Sequence, residues 1–202
     1  MHVLRIAITG THGNGKTTLA RALSAKTGLP LIAEQARIVA TEMGLTDCSR
    51  LLRDPELART FQERVLEGQI AAQVKHPEGF IADRSTLDAI AYWKLYLNGS
   101  QENIHRETNR YIFKARLHAW KGLDLLVYVP PLNPPGGDGF RLTTHHIEAD
   151  ALIRRELRLL RESGRMPVVV LRGRTLENRL TEIELAIQQD TPEFIRGMTN
   201  SG

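Results

Sequence analysis

Hydrophobic residues in this chain fall into short unbroken runs, separated by longer segments in which they recur every three or four positions. The runs at residues 3–8, 31–33, 80–82, 125–129 and 168–171 have the length of strands, and their lack of polar alternation is what strands covered on both faces show. Between the first two, Leu19, Ala20 and Leu23 carry a helical stripe that predicts a helix over residues 16–27. Further helices are predicted over 35–43, 56–74, 86–97, 102–120, 146–162 and 176–188. Several ends are marked. Gly28-Leu29-Pro30, Asn98-Gly99 and Ser163-Gly164 are stops, and Asp54-Pro55 is a start, with Asp54 as N-cap and Pro55 in the first turn. Strands alternating with helices predict an α/β fold with a parallel sheet. One domain is expected over residues 1–189, followed by a tail, 190–202, that lacks periodicity and is expected to fray. Residues 130–139 hold four prolines and three glycines, so a lid loop is expected over residues 131–146.

The totals narrow the classes. A length of 202 residues suits one domain with a sizeable core. No apolar stretch approaches the ~20 residues that span a bilayer, so a soluble protein without membrane partners is expected. The net charge of +4 is spread along the chain and not massed with interleaved aromatics, which argues against a dedicated nucleic-acid surface. The single cysteine, Cys48, cannot form an internal disulfide and reads as a small packing residue; with no secretory core in the first residues, a cytoplasmic location is expected. The number of copies is left open, a homodimer included.

Candidate chemistry concentrates directly after the first strand. Gly10-Thr11-His12-Gly13-Asn14-Gly15-Lys16-Thr17 matches G-x-x-x-x-G-K-[ST], the Walker A pattern, at every fixed position. Glycines open backbone conformations in which successive N–H groups converge on phosphate oxygens, and the helix that follows adds its positive end. Lys16 supplies a cation for the β- and γ-phosphates, and the Thr17 hydroxyl is a candidate Mg²⁺ ligand. Gly10, His12, Gly13, Asn14, Gly15, Lys16, Thr17 and Thr18 are therefore the candidate nucleotide contacts. Neither N-K-x-D nor T-K-x-D occurs, which favours ATP over GTP.

Two further strands end in acids. The strand before Asp83-Arg84-Ser85 should end on the same sheet edge as the loop, making Asp83 a candidate for the metal, with capping of the next helix as its structural alternative. Arg84 is a candidate fork for phosphate oxygens. Glu34, after the second strand, is a candidate general base toward an acceptor hydroxyl. Arg141, in the expected lid, would reach the transferring phosphate on closure. Arg174, after the last strand, is placed beside the adenine. His145 and His146 read as surface groups, and Tyr92, Trp93, Tyr96, Tyr111, Phe113 and Trp120 mostly as packing residues.

The loop, Glu34-Gln35-Ala36-Arg37, Phe61-Gln62, Asp83-Arg84-Ser85, and Pro130-Pro131 leading to Asp138-Gly139-Phe140-Arg141 together resemble the NadR-like P-loop kinase and ATPase family. The likeness spans residues 4–188. The Asp-Arg-Ser triplet is also similar to triplets of deoxynucleoside and thymidylate kinases. The resemblance implies a P-loop NTPase three-layer sandwich: a parallel five-stranded sheet in order 2-3-1-4-5 with helices on both faces. It also implies that Asp83 serves the metal, Arg84 the phosphates and Glu34 the acceptor, with Gln62 and Arg37 as further substrate contacts. The reading is an ATP- and Mg²⁺-dependent kinase acting on a nucleoside, nucleotide or similar small molecule. Its alternative is an AAA-type-like P-loop ATPase working as a switch or partner regulator. A motor of that type is expected less, because residues 125–129 carry no polar sensor and the length leaves no room for an extra helical domain.

Overall fold

The computed structural model of the chain describes residues 4–97, 104–131, 145–164 and 166–189. In chain order the elements are β1 (Leu4–Thr9), α1 (Lys16–Thr27), β2 (Leu31–Ile32), α2 (Gln35–Glu42), α3 (Ser49–Arg53), α4 (Pro55–Val74), β3 (Gly79–Asp83), α5 (Thr86–Leu97), α6 (Ile104–Gly122), β4 (Leu125–Tyr128), α7 (His146–Glu162), β5 (Val168–Val170) and α8 (Leu176–Gln189). The expected lid with Arg141, apart from its ends, and the expected tail lie outside the described residues.

The strands form one parallel sheet in the order β2-β3-β1-β4-β5. β1 is central, and its Ile8 stands in register with Asp83 of β3 and Val127 of β4. Because every strand runs the same way, Gly10, Glu34 and Asp83 all lie at one edge, where the strands end.

Side chains alternate along each strand, so the sheet has two apolar faces. On one, Ile6, Ile8, Ile81 and Val127 pack with Leu19 and Leu23 of α1 and Ile183 of α8. On the other, Ala7, Phe80, Ala82 and Leu126 meet Ile90 and Trp93 of α5 and Leu157 and Leu160 of α7. Trp93 stacks on Tyr111 with ring centres 4.0 Å apart. The aromatic expectation fails at Phe113, which is 64% exposed on α6.

Helix ends follow the sequence signals closely where these fall on described residues; the Asn98-Gly99 stop lies outside them. Gly28 caps α1 at φ 72°, a left-handed conformation open to glycine. Asp54 accepts from Leu57 N at 3.0 Å with Pro55 in the first turn of α4. The short α3 was not legible: five residues hold too few turns to show a stripe, and Leu51 alone anchors it in the core. α6, expected over 102–120, runs from Ile104 to Gly122, two residues further at its C-terminal end; residues 102 and 103 lie outside the described residues.

Candidate functional site

The phosphate-loop sequence forms a loop between β1 and α1, and its conformation depends on its glycines. Gly10, Gly13 and Gly15 have φ of 137°, 74° and 78°, values that L side chains rarely adopt. Gly13, Gly15 and Thr18 are exposed, whereas Thr11, His12, Asn14 and Lys16 are buried. Thr11 ties the loop together. Its carbonyl accepts from Lys16 Nζ, and its hydroxyl accepts from Asn14 Nδ2 at 2.9 Å and lies 2.8 Å from His146 Nε2.

At the first turn of α1, the Thr17 hydroxyl donates to Asp83 Oδ2 at 2.6 Å. Asp83 is 3% exposed, and its Oδ1 has no hydrogen-bond partner among the described residues. A buried carboxylate oxygen left without a donor is costly unless a cation meets it. The capping alternative for Asp83 does not hold, because Ser85 and Asp88 form a reciprocal cap. Ser85 Oγ accepts from Leu87 N at 3.2 Å, and Asp88 Oδ2 accepts from Ser85 N at 2.9 Å. Among the described residues no three His, Cys, Asp or Glu side chains are grouped to hold a metal alone. A hydroxyl and one carboxylate fit Mg²⁺, which takes its remaining ligands from water and substrate phosphates.

Arg84 adopts φ 96°, unlike any other non-glycine among the described residues. Its guanidinium donates to Glu34 Oε1 at 2.5 Å, to Gly10 O at 3.1 Å and to Asp88 Oδ1 at 3.0 Å. Burial works against its charge, but Tyr92, Asp88 and Asp83 around it hold its pKa above the ordinary guanidinium value. Nε and one terminal nitrogen of the fork expected on phosphate oxygens are thus held by protein acceptors, which join the loop to Glu34. Glu34 is itself buried, and its Oε2 accepts from Arg37 Nε at 2.9 Å.

Beside this cluster lies a narrow cavity lined by Phe61 and Gln62 of α4, Tyr92 and Tyr96 of α5, Arg84 and Cys48. About 520 Å³ of it is free of protein atoms, open solvent at its mouth included. Burial pushes the Tyr92 and Tyr96 phenols up, so both stay neutral at physiological pH. Cys48 is buried, as expected of a packing residue.

Three residues missed by sequence reasoning complete the site. Asp88 was legible in principle, because Ser85-x-x-Asp88 is a capping-box spacing. His146 corrects an expectation: it is buried against the loop, while His145 next to it is partly exposed and meets Glu148. Arg179, on α8, donates to Asn14 O and to Gly173 O, each at 2.9 Å. No local signal distinguishes it from the other arginines of the chain. Arg174 is exposed on the loop after β5.

The fold has counterparts among solved structures. NadR in complex with NAD and AMP-PNP superposes at a TM-score of 0.71 with 22% identity, covering 94% of this chain and 50% of NadR. The chain thus spans about half the length of NadR. A deoxyadenosine kinase from M. mycoides with bound dATP superposes at 0.66 with 17% identity, covering 92% of this chain and all of the kinase, 100%. These likenesses establish the P-loop kinase fold. No curated protein sequence matches the chain. No helix among the described residues is long and apolar enough to cross a membrane. A family model described as an AAA domain matches residues 5–179, from the start of β1 to the arginine that braces the phosphate loop, and the chain belongs to that family.

Proposed function

We propose that this chain is an ATP- and Mg²⁺-dependent kinase that transfers the γ-phosphate to a hydroxyl of a nucleoside, nucleotide or similar small molecule. The observation that carries the reading is the position of Glu34. Through Arg84 its carboxylate is connected to Gly10 of the phosphate loop, and Arg84 and Gln35, the residue after Glu34, both line the apolar cavity. An acid joined through Arg84 both to the phosphate loop and to the wall of an apolar cavity suits proton acceptance from an acceptor hydroxyl. ATP hydrolysis alone needs no such pocket.

In this reading the loop N–H groups and Lys16 hold the triphosphate, Thr17 and Asp83 hold the metal, and Gln62 and the two tyrosines receive the acceptor. Mg²⁺ would neutralise charge building on the β- and γ-phosphates. Arg174 flanks the adenine and Arg141 supports the transferring phosphate. The supporting likenesses are NadR, solved in complex with NR, and the M. mycoides deoxyadenosine kinase. A cytosolic setting suits an enzyme that draws on ATP.

A second reading is ATP hydrolysis coupled to a partner protein. The AAA family match favours it, and so does the engagement of both Glu34 oxygens by arginines, which lowers their availability to an acceptor. ATP consumption measured with a panel of nucleosides, nucleotides and vitamins separates the two. Stimulation by one acceptor above the acceptor-free rate supports the kinase, and an unchanged rate across the panel supports the hydrolase.

A further inference from the structure

The first residue of α7 reaches across the molecule to the phosphate loop, 134 positions away in sequence. His146 is 4% exposed, and its Nε2 lies 3.1 Å from His12 O and 2.8 Å from Thr11 Oγ1. A carbonyl oxygen only accepts, so the contact with His12 requires the hydrogen to sit on Nε2. Thr11 Oγ1 already accepts from Asn14 Nδ2 and has a second lone pair for the same ring. The His12 ring packs edge-on against the His146 ring, centres 4.9 Å apart at 82°, which fixes the plane in which Nε2 points.

The consequence lies in the backbone. A peptide unit is planar and trans, so its C=O and the following N–H point in opposite directions. Holding His12 O toward α7 therefore fixes the direction of Gly13 N–H on the other side. Arg179 does the same from α8: by holding Asn14 O it fixes Gly15 N–H. Gly13 and Gly15 have the positive φ values that make such peptides easy to turn, so without these partners their N–H groups would sample other directions.

We infer that His146 is a positioning residue for the triphosphate, which through its Nε2–H holds the Thr11-His12-Gly13 backbone with Gly13 N–H set to donate to phosphate. This rests on the nucleotide-binding reading above. It adds that part of the phosphate affinity resides in α7, outside the loop motif. The gain is preorganisation: a loop already in its binding conformation does not lose that ordering entropy when the ligand arrives.

The test is calorimetric titration of the whole chain with inorganic tripolyphosphate, which isolates the loop from the base and the acceptor, and then with Mg-ATP. His146→Leu places an apolar side chain of similar bulk that has no donor; His146→Gln places an amide N–H where Nε2–H stood. The leucine variant is expected to bind tripolyphosphate about three- to tenfold more weakly, the worth of one hydrogen bond, and glutamine to restore most of the loss. Any turnover should show the change in KM for ATP and not in kcat. His146→Phe, a ring without a donor, should weaken binding in the same way, and it serves as the test if His146→Leu does not fold. Wild-type affinity in the leucine variant overturns the inference, as does a glutamine variant as weak as leucine, because ring packing alone would then explain the contact. A wild-type chain that binds neither tripolyphosphate nor Mg-ATP overturns the nucleotide reading itself.

Discussion

Thr17 and Asp83, 66 residues apart in sequence, share a hydrogen bond of 2.6 Å that joins the first turn of α1 to the end of β3. The hydroxyl takes one carboxylate oxygen and leaves Oδ1 without a donor among the described residues. This is the half-satisfied arrangement that a divalent cation completes. Asp83→Asn keeps the shape and removes the charge. It should raise the Mg²⁺ concentration for half-maximal turnover by about tenfold, the effect of losing one charged ligand contact worth about 1.4 kcal/mol. A Mg²⁺ titration of ATP turnover reads this directly, and an unshifted midpoint would remove Asp83 from the metal site.

Lys16 donates to Thr11 O, so its ammonium must leave a protein carbonyl to reach a phosphate. Lys16→Ala should lower turnover by about 10²-fold or more, as removal of a preorganised charge from a transition state does. Core packing does not depend on the ammonium, so thermal unfolding should remain cooperative and near the wild-type midpoint. Near-native turnover in a folded variant would contradict the role given to the loop.

Glu34→Gln discriminates between the two readings of function. If the carboxylate accepts the acceptor proton, transfer should fall by about 10²-fold while ATP affinity persists. If the chain only hydrolyses ATP, the variant should lose no acceptor-dependent rate, since none exists. Parallel assays of phosphorylated product and released phosphate distinguish these outcomes.

Glu156 gives a prediction about stability. It is buried in α7 and accepts from Lys94 of α5 at 2.9 Å and from Arg116 of α6 at 2.8 Å. Burial alone would raise its pKa, but the hydrogen bonds from Arg116 and Lys94 outweigh burial and hold it below the ordinary carboxylate value of 4.5. A group depressed in the folded state stabilises above its unfolded pKa and loses that contribution as pH falls through the folded value. Denaturant unfolding of the wild type should therefore weaken progressively below about pH 4.5. Glu156→Gln should be less stable at pH 7 by about 2 kcal/mol and show a shallower acid slope. Parallel pH profiles would contradict the assignment.

Much of the fold was legible because it depends on local pattern. Parallel strands buried on both faces read as continuous apolar runs, and Gly28, Asp54 and Gly164 mark helix ends by chemistry that acts within a few residues. The phosphate loop was legible for the same reason, since its requirements all fall within eight consecutive positions. Ser85 and Asp88 also satisfy a local rule, the capping box, yet Asp88 does a second task that no spacing reveals: it accepts from Arg84 beside Gly10. His146 and Arg179 were not legible. Each acts on the loop across more than 130 residues of chain, and only the packing of α7 and α8 brings them there. Glu34, Asp88 and Gly10 O as partners of Arg84 were likewise not legible, because the choice among acceptors is decided by three-dimensional proximity.

The backbone at Gly10 divides the phosphate-loop motif into two kinds of requirement. A methyl group there would collide with Val129 O just beyond β4, and φ 137° is closed to side chains besides. The first fixed glycine is thus demanded by the spacing of two neighbouring strand ends, with or without a nucleotide. At Gly15 the nearest atom to such a methyl is Arg179 at 3.4 Å, so there it is the left-handed φ of 78°, and not a collision, that asks for glycine. A homologue that had abandoned catalysis would then be free to drift at Lys16 and Thr17 while still retaining Gly10. Retention of that glycine among degenerate relatives would record inheritance of the architecture and not of the activity.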